Sequence, residues 1–178
     1  MSTKYLNATE TAKLVRQSLK EAFPDVKFSV RRKTYSGGAS VSVGWQDGPN
    51  EAQVAAVGGI FRGSVFDSSQ DLRLNTYAMM DGQLVSFGAD YIHFGRICSK
   101  ALCESVARTF VGLQYKITGT DAYGWGFAGD YDELHDLRTA LAKRSDRLAV
   151  GKSATAGKVI YCGHTSSNSQ VGAVQVDE

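Results

Sequence analysis

Apolar and polar residues change their period twice within the first sixty positions of the chain. Asn7 followed three residues later by Glu10 has the form of a capping box, and Ala12, Val15, Leu19, Ala22 and Phe23 then make one apolar stripe that Pro24 ends. A helix is predicted there, with Lys13, Arg16 and Lys20 on its polar face. From Val26 the period falls to two. Val26, Phe28 and Val30 alternate with Lys27, Ser29 and Arg31, and later Val41, Val43 and Trp45 alternate with Ser40, Ser42 and Gly44. Tyr35-Ser36-Gly37-Gly38 lies between the two runs, and its glycines can take the positive φ of a tight turn, so an antiparallel hairpin is predicted. Asp47-Gly48-Pro49-Asn50 then opens a second helix in which Val54, Val57, Gly58 and Phe61 fall on one face. Gly58-Gly59 costs that helix about 1 kcal/mol per glycine relative to alanine, which points to a close packing contact.

Residues 63–83 are rich in turn formers and show little period. Beyond them 84–87 and 91–94 read as strands joined across Gly88-Ala89-Asp90, and Ser99 caps a helix that turns Leu102, Val106 and Phe110 inward. The order α-β-β-α-β-β-α with short connections predicts an α+β fold, an antiparallel sheet with helices packed on one face. After residue 114 a β-α-β extension follows. It has a strand at 115–118, a glycine and aromatic loop, a helix from Asp130 with Glu133 as its capping partner and Leu134, Leu137, Leu141 and Leu148 on one side, and a strand at 159–162. Residues 1–114 are thus expected to form the α+β core and 115–178 an extension packed on it, with the Ser/Asn/Gln-rich stretch 165–170 mobile.

Composition changes this picture little. The 178 residues are 43% apolar and 21% charged, an ordinary globular balance that excludes collagen, coiled coils and long disordered tails. No apolar run approaches the ~20 residues that span a bilayer, and the first ten residues carry no apolar signal core, so a cytoplasmic protein is expected. Cys98, Cys103 and Cys162 are an odd set that fits reduced, buried thiols. Charge placement says more than net charge, which is +2. Residues 1–46 hold 8 Lys/Arg against 3 Asp/Glu, whereas residues 47–178 hold 12 against 15, so a basic surface at one end can steer an anionic partner.

Candidate chemistry is thin. Gly124-Trp125-Gly126-Phe127-Ala128-Gly129 matches G-x-G-x-x-G between a strand and a helix, but Trp125 and Phe127 are bulky where a backbone must approach pyrophosphate, and Asp130 puts an anion at the helix start. Gly151-Lys152-Ser153 lacks the first glycine of a phosphate loop, its position being held by Asp146. His93, Cys98, Cys103, Cys162 and His164 show no Cys-x-x-Cys or helical His-x-x-x-His pair, so no metal is expected. Asp90, His93 and Cys98 could in principle supply a nucleophile and its base, yet strand alternation separates Asp90 from His93. No catalytic residue and no cofactor is assigned. Tyr35, Trp45, Tyr91 and Phe94 interleave with Arg31, Arg32, Lys33 and Arg96, a pattern suited to base stacking with phosphate pairing, and equally to a basic edge strand over an aromatic core.

The stretch TAKLVRQSLKEAFPDVKFSVRRKTYSGGASVSVGWQDGP, the helix EAQVAAVGGIF and the later FGADYIHFGRICS together resemble a domain class associated with large polyvalent proteins, over about residues 9 to 115. KFSVRR, YSGG and W-x-DGP are its most specific parts. The resemblance implies an origin in phages or conjugative elements, where such modules accompany effector domains and are thought to help invading DNA against host defence. It brings no catalytic residues. The expected function is therefore a non-enzymatic binding protein that inhibits or modulates a host nucleic-acid-handling defence complex in the bacterial cytoplasm. Its face is the first hairpin, Lys27, Arg31, Arg32, Lys33 and Tyr35, extended by Arg16, Lys20 and Arg96, and its partner an acidic protein surface or nucleic acid itself. A direct nucleic-acid-binding accessory domain is the alternative, and an enzyme using the 124–129 loop a second one.

Overall fold

Helix α1 (Ala8–Ala22) starts where a capping box can close. The Asn7 side chain accepts from the Thr9 and Glu10 amides, while the Asn7 amide donates to the Glu10 carboxylate at 2.8 Å. Val15 and Leu19 are fully buried, as the stripe requires. These facts come from a computed structural model that describes residues 2–69, 71–120 and 122–166. Strands β2 (Ser29–Tyr35) and β3 (Gly38–Gln46) form the expected antiparallel hairpin, with Gly37 at φ +86° in its turn. Helix α2 (Glu51–Gly58) begins two residues after Pro49, because Asn50 and Gln53 cap it reciprocally, and one 3-10 turn (Gly59–Phe61) extends it. Gly58 is there for space: a Cβ would lie 3.0 Å from the Phe94 ring. A Cβ on Gly59 would meet nothing within 4 Å among the described residues.

The α+β class holds, but the sheet is not the single antiparallel layer expected. Strand β7 (Tyr91–Ile97) pairs parallel to β3, giving the order β2-β3-β7. A second sheet has the order β1-β6-β5-β10, built from β1 (Lys4–Leu6), β5 (Leu72–Met80), β6 (Gln83–Phe87) and β10 (Val159–Ser166), with β4 (Ser64–Asp67) also paired to β5 and β1 parallel to β6. Residues 84–87 and 91–94 are thus not a hairpin, since they lie in different sheets. Their connector is consumed by ties between the layers: the Gly88 amide donates to Leu6 O (2.6 Å), the Asp90 amide to Ala39 O (2.8 Å), and Ala89 O accepts from the Gly63 amide (2.7 Å). The stretch 63–83, turn-rich and poorly periodic in sequence, contains the two strands β4 and β5. Leu74, Thr76 and Ala78 alternate inward on β5, and Asp81-Gly82, both at positive φ, make the tight turn to β6.

Both helices and both sheets enclose one apolar cluster around Val15, Leu19, Phe23, Val41, Trp45, Phe61 and Phe87. A second cluster gathers α3 (Lys100–Ala107), β8 (Lys116–Thr120), β9 (Gly124–Ala128) and α4 (His135–Lys143) around Cys103, Val106, Phe127, Leu134 and Leu137. Leu148 lies beyond the end of α4 and is exposed rather than on its apolar side. Polar staples join the clusters. The Arg96 guanidinium donates to the carbonyls of Leu141 and Arg144 at the end of α4, and Gln53 and Asn50 donate to Arg147 O and Lys143 O. Arg147 bridges Asp25 (3.0 Å) and Asp146 (2.7 Å), which pushes its own titration up and holds both carboxylates below their ordinary range. Glu21 clamps the approach to β10, accepting from the Thr155 amide and the Ser153 and Thr155 hydroxyls. Residues 165 and 166 of the expected mobile stretch end β10, and 167–170 lie outside the described residues. No described helix is long and apolar enough to cross a membrane.

Candidate functional site

Register assigns every residue of the three-stranded sheet to one of two faces. Val30 opposes Val43, so Val30, Val41, Val43, Trp45 and Ile92 share the face that α1 and α2 cover, and all five are buried. The other face is built in rows across β2, β3 and β7: Lys33, Ser40 and Tyr91, then Arg31, Ser42 and His93, then Ser29, Gly44 and Gly95. Its β2 side is exposed throughout. The last row floors a shallow trough of about 670 Å³, with Lys27, Arg31 and His93 around it and Ala122 of the β8–β9 turn at one end. The Tyr91 and His93 rings lie stacked beside it, centroids 6.1 Å apart and planes 23° from parallel.

The two floor glycines are not demanded by the fold. Neither takes positive φ; a Cβ on Gly44 would meet nothing nearer than Gly95 O at 3.9 Å, and one on Gly95 nothing within 4 Å. Gly38, on the same face, differs, since a Cβ there would lie 1.9 Å from the Asp90 carboxylate.

Lys27, Arg31 and Lys33 stand on the open face, and among the described residues their side chains make no ion pair or hydrogen bond. Arg32 is equally unpaired and exposed but opposes Val41, which puts it on the helix side of the sheet at its outer end. Tyr35 shares the open face, its hydroxyl donating to Asp90 at 3.2 Å; desolvation, then the Asp90 charge, pushes that hydroxyl's titration up. Asp90 is itself paired with Arg73 at 3.1 Å. Lys20 is exposed on α1. Arg16 donates to Val30 O at 2.9 Å, closing an edge-strand carbonyl. Arg96 is turned to the covered side of β7 and spent on α4, so the structure does not bring it to the face. Sequence reasoning missed Ser29, Ser42, Gly44, His93 and Gly95 as one surface. Their alternation was visible, but nothing local signals the parallel pairing of β3 with β7 that sets them side by side.

The other candidate constellations come apart. Gly124–Ala128 is strand β9, paired to β8, with the Trp125 amide donating to Cys98 O, so no phosphate-cradling turn exists there. The Asp130 carboxylate already takes the Asp132 and Glu133 amides. Cys103 is fully buried and its thiol is pushed up to about 11 by desolvation, and burial also raises Cys98. Asp90 serves Arg73 and Tyr35 while His93 stacks on Tyr91, so the nucleophile set is not assembled. Among the described residues no three metal-ligating side chains converge.

The profile of the family described as large polyvalent protein associated domain 29 matches residues 6–99, from the end of β1 to the cap of α3. The chain belongs to this family, which associates it with phages and other mobile elements. No curated protein and no solved structure matches it.

Proposed function

Taking that membership as premise, we propose that the protein is a non-enzymatic binding protein of a phage or mobile genetic element, working in the cytoplasm of a bacterial host. It engages an anionic macromolecule through the open sheet face and so inhibits or modulates a host complex that handles nucleic acid. One observation carries this reading. Arg31 and Lys33 on one face of an edge strand, and Lys27 just ahead of it beside the same trough, have no carboxylate partner among the described residues, although the fold pairs Arg73 with Asp90 and Arg147 with Asp25 and Asp146. Unpaired cations on an uncovered face raise the local concentration of polyanions and lose that pull as salt screens them.

Replacing Arg31, Arg32 and Lys33 together by alanine tests it. All three side chains are exposed, so the fold survives. On immobilised heparin the native protein elutes at a distinctly higher salt concentration than the triple variant, and any host complex captured by the native protein is lost from the variant. Equal elution of the two proteins overturns the assignment of this face.

A further inference from the structure

We infer that the polyanion is a single-stranded nucleic acid, with one base lying in the trough over Gly44 and Gly95, its neighbour against the Tyr91–His93 ring pair, and the sugar-phosphate chain running beside Lys27, Arg31 and Lys33. This rests on the reading that the open face binds an anion, and it adds which one.

Charge alone does not distinguish an acidic protein from a nucleic acid; the trough and rings do. A strand gains stability from side chains at interior positions, and glycine there forfeits it, so an interior strand glycine needs a reason in φ, in space, or in something that approaches the backbone. Gly38 has the second reason. Gly44 and Gly95 have neither of the first two, and they sit in register on neighbouring strands. Together they leave a patch of bare backbone on a face that no described helix or sheet covers, and a flat ring can lie on it. The adjoining surface is also flat and aromatic: Tyr91 is 40% exposed, and its ring continues into His93. Successive flat platforms beside a row of cations match what an unpaired nucleotide chain offers, bases with open faces and one charge per residue. On this face Arg31 and Lys33 lie two residues apart along β2, about 6.6 Å, and Lys27 lies four residues before Arg31, just ahead of the strand, a spacing that an extended strand of nucleotides can follow. Asp90, the carboxylate beside Tyr91, is already neutralised by Arg73, so it does not repel that chain. An acidic peptide would use the cations but would leave the glycine floor and ring stack without a role. A duplex would keep its bases stacked away from both.

The test follows fluorescence anisotropy of a labelled oligothymidylate, with heparin retention measured in parallel. The native protein binds the oligomer, and an abasic oligomer of equal length binds about tenfold more weakly or worse. Gly95→Val places an isopropyl group over the floor, at a position whose Cβ meets nothing within 4 Å among the described residues. It weakens oligomer binding about tenfold while heparin elution is unchanged and the melting temperature is equal or higher, because valine favours a strand. Tyr91→Ala, at an exposed ring, weakens binding the same way and serves if the glycine variant folds poorly. Binding of the abasic strand, a duplex or polyglutamate as tight as that of oligothymidylate overturns the inference, as does full affinity in both variants. Retention on heparin without any oligomer binding sinks the nucleic-acid inference alone. Loss of both sinks the wider reading too.

Discussion

Arg96 offers the sharpest separation of structural from binding roles, since sequence pattern assigns it to the basic face and the fold assigns it to a helix end. In Arg96→Ala two charge-assisted bonds to the carbonyls of Leu141 and Arg144 are lost, and with them the cation that complements the C-terminal end of α4. Bonds to a charged group contribute about 1.5–3 kcal/mol each when shielded. The guanidinium is half-buried and water can reach the freed carbonyls, so about 2–3 kcal/mol in total is expected, or a fall in melting temperature of roughly 4–12 °C for a chain of this size. The loss falls unevenly. Trp45 lies in the first apolar cluster and Trp125 packs on the second, so Arg96→Ala made in the Trp125→Phe and Trp45→Phe backgrounds reports each cluster separately by fluorescence. The unfolding midpoint read at Trp125 drops below that read at Trp45, because α4 is the element released. Arg96→Lys recovers less than half of the loss, since one ammonium cannot fork to two carbonyls. Heparin elution of the folded Arg96→Ala protein stays that of the native chain. An unchanged melting temperature with earlier elution from heparin would refute this reasoning and return Arg96 to the binding face.

Two further outcomes follow from single contacts. Glu21 is held at about 2, below its ordinary 4.5, first by the Thr155 amide and then by Ser153, Gln17 and Thr155 side chains. Its folded-state value is the lower one, so the clamp contributes fully above pH 4.5 and is lost as pH falls toward 2. Melting curves from pH 6 to 2.5 therefore fall more steeply for the native protein than for Glu21→Gln, and parallel curves would show that the clamp does not matter. Gly63→Ala, whose Cβ would sit 1.9 Å from Phe87 O and 3.1 Å from Ala89 O, forces the connector between the two sheets to move. A loss above about 3 kcal/mol in urea unfolding, or failure to accumulate folded protein, is expected, and near-native stability would refute the tight junction at 88–90.

Local signals decided a good deal of this protein. Asn7 and Glu10, Ser99, the stripe of α1 and the glycine turn of the β2–β3 hairpin act within one turn or one hairpin, so their consequences can be read from neighbouring residues. The placing of Arg31 and Lys33 on one side of β2, with Lys27 in the same alternation just ahead of it, follows from the period of two, and their exposure from their charge. The family, too, is carried by contiguous motifs between residues 6 and 99. Tertiary structure decided the rest. Whether 84–87 turns back on 91–94 or parts from it depends on where Leu6, Ala39 and Gly63 offer partners to Gly88, Asp90 and Ala89, and those residues are remote in the chain. Thr76 and Ala78 gave β5 too weak an apolar rhythm to announce a central strand. The trough exists because β3 and β7 pair in parallel, and pairing of distant strands is chosen by the core they jointly bury, a property of no single segment.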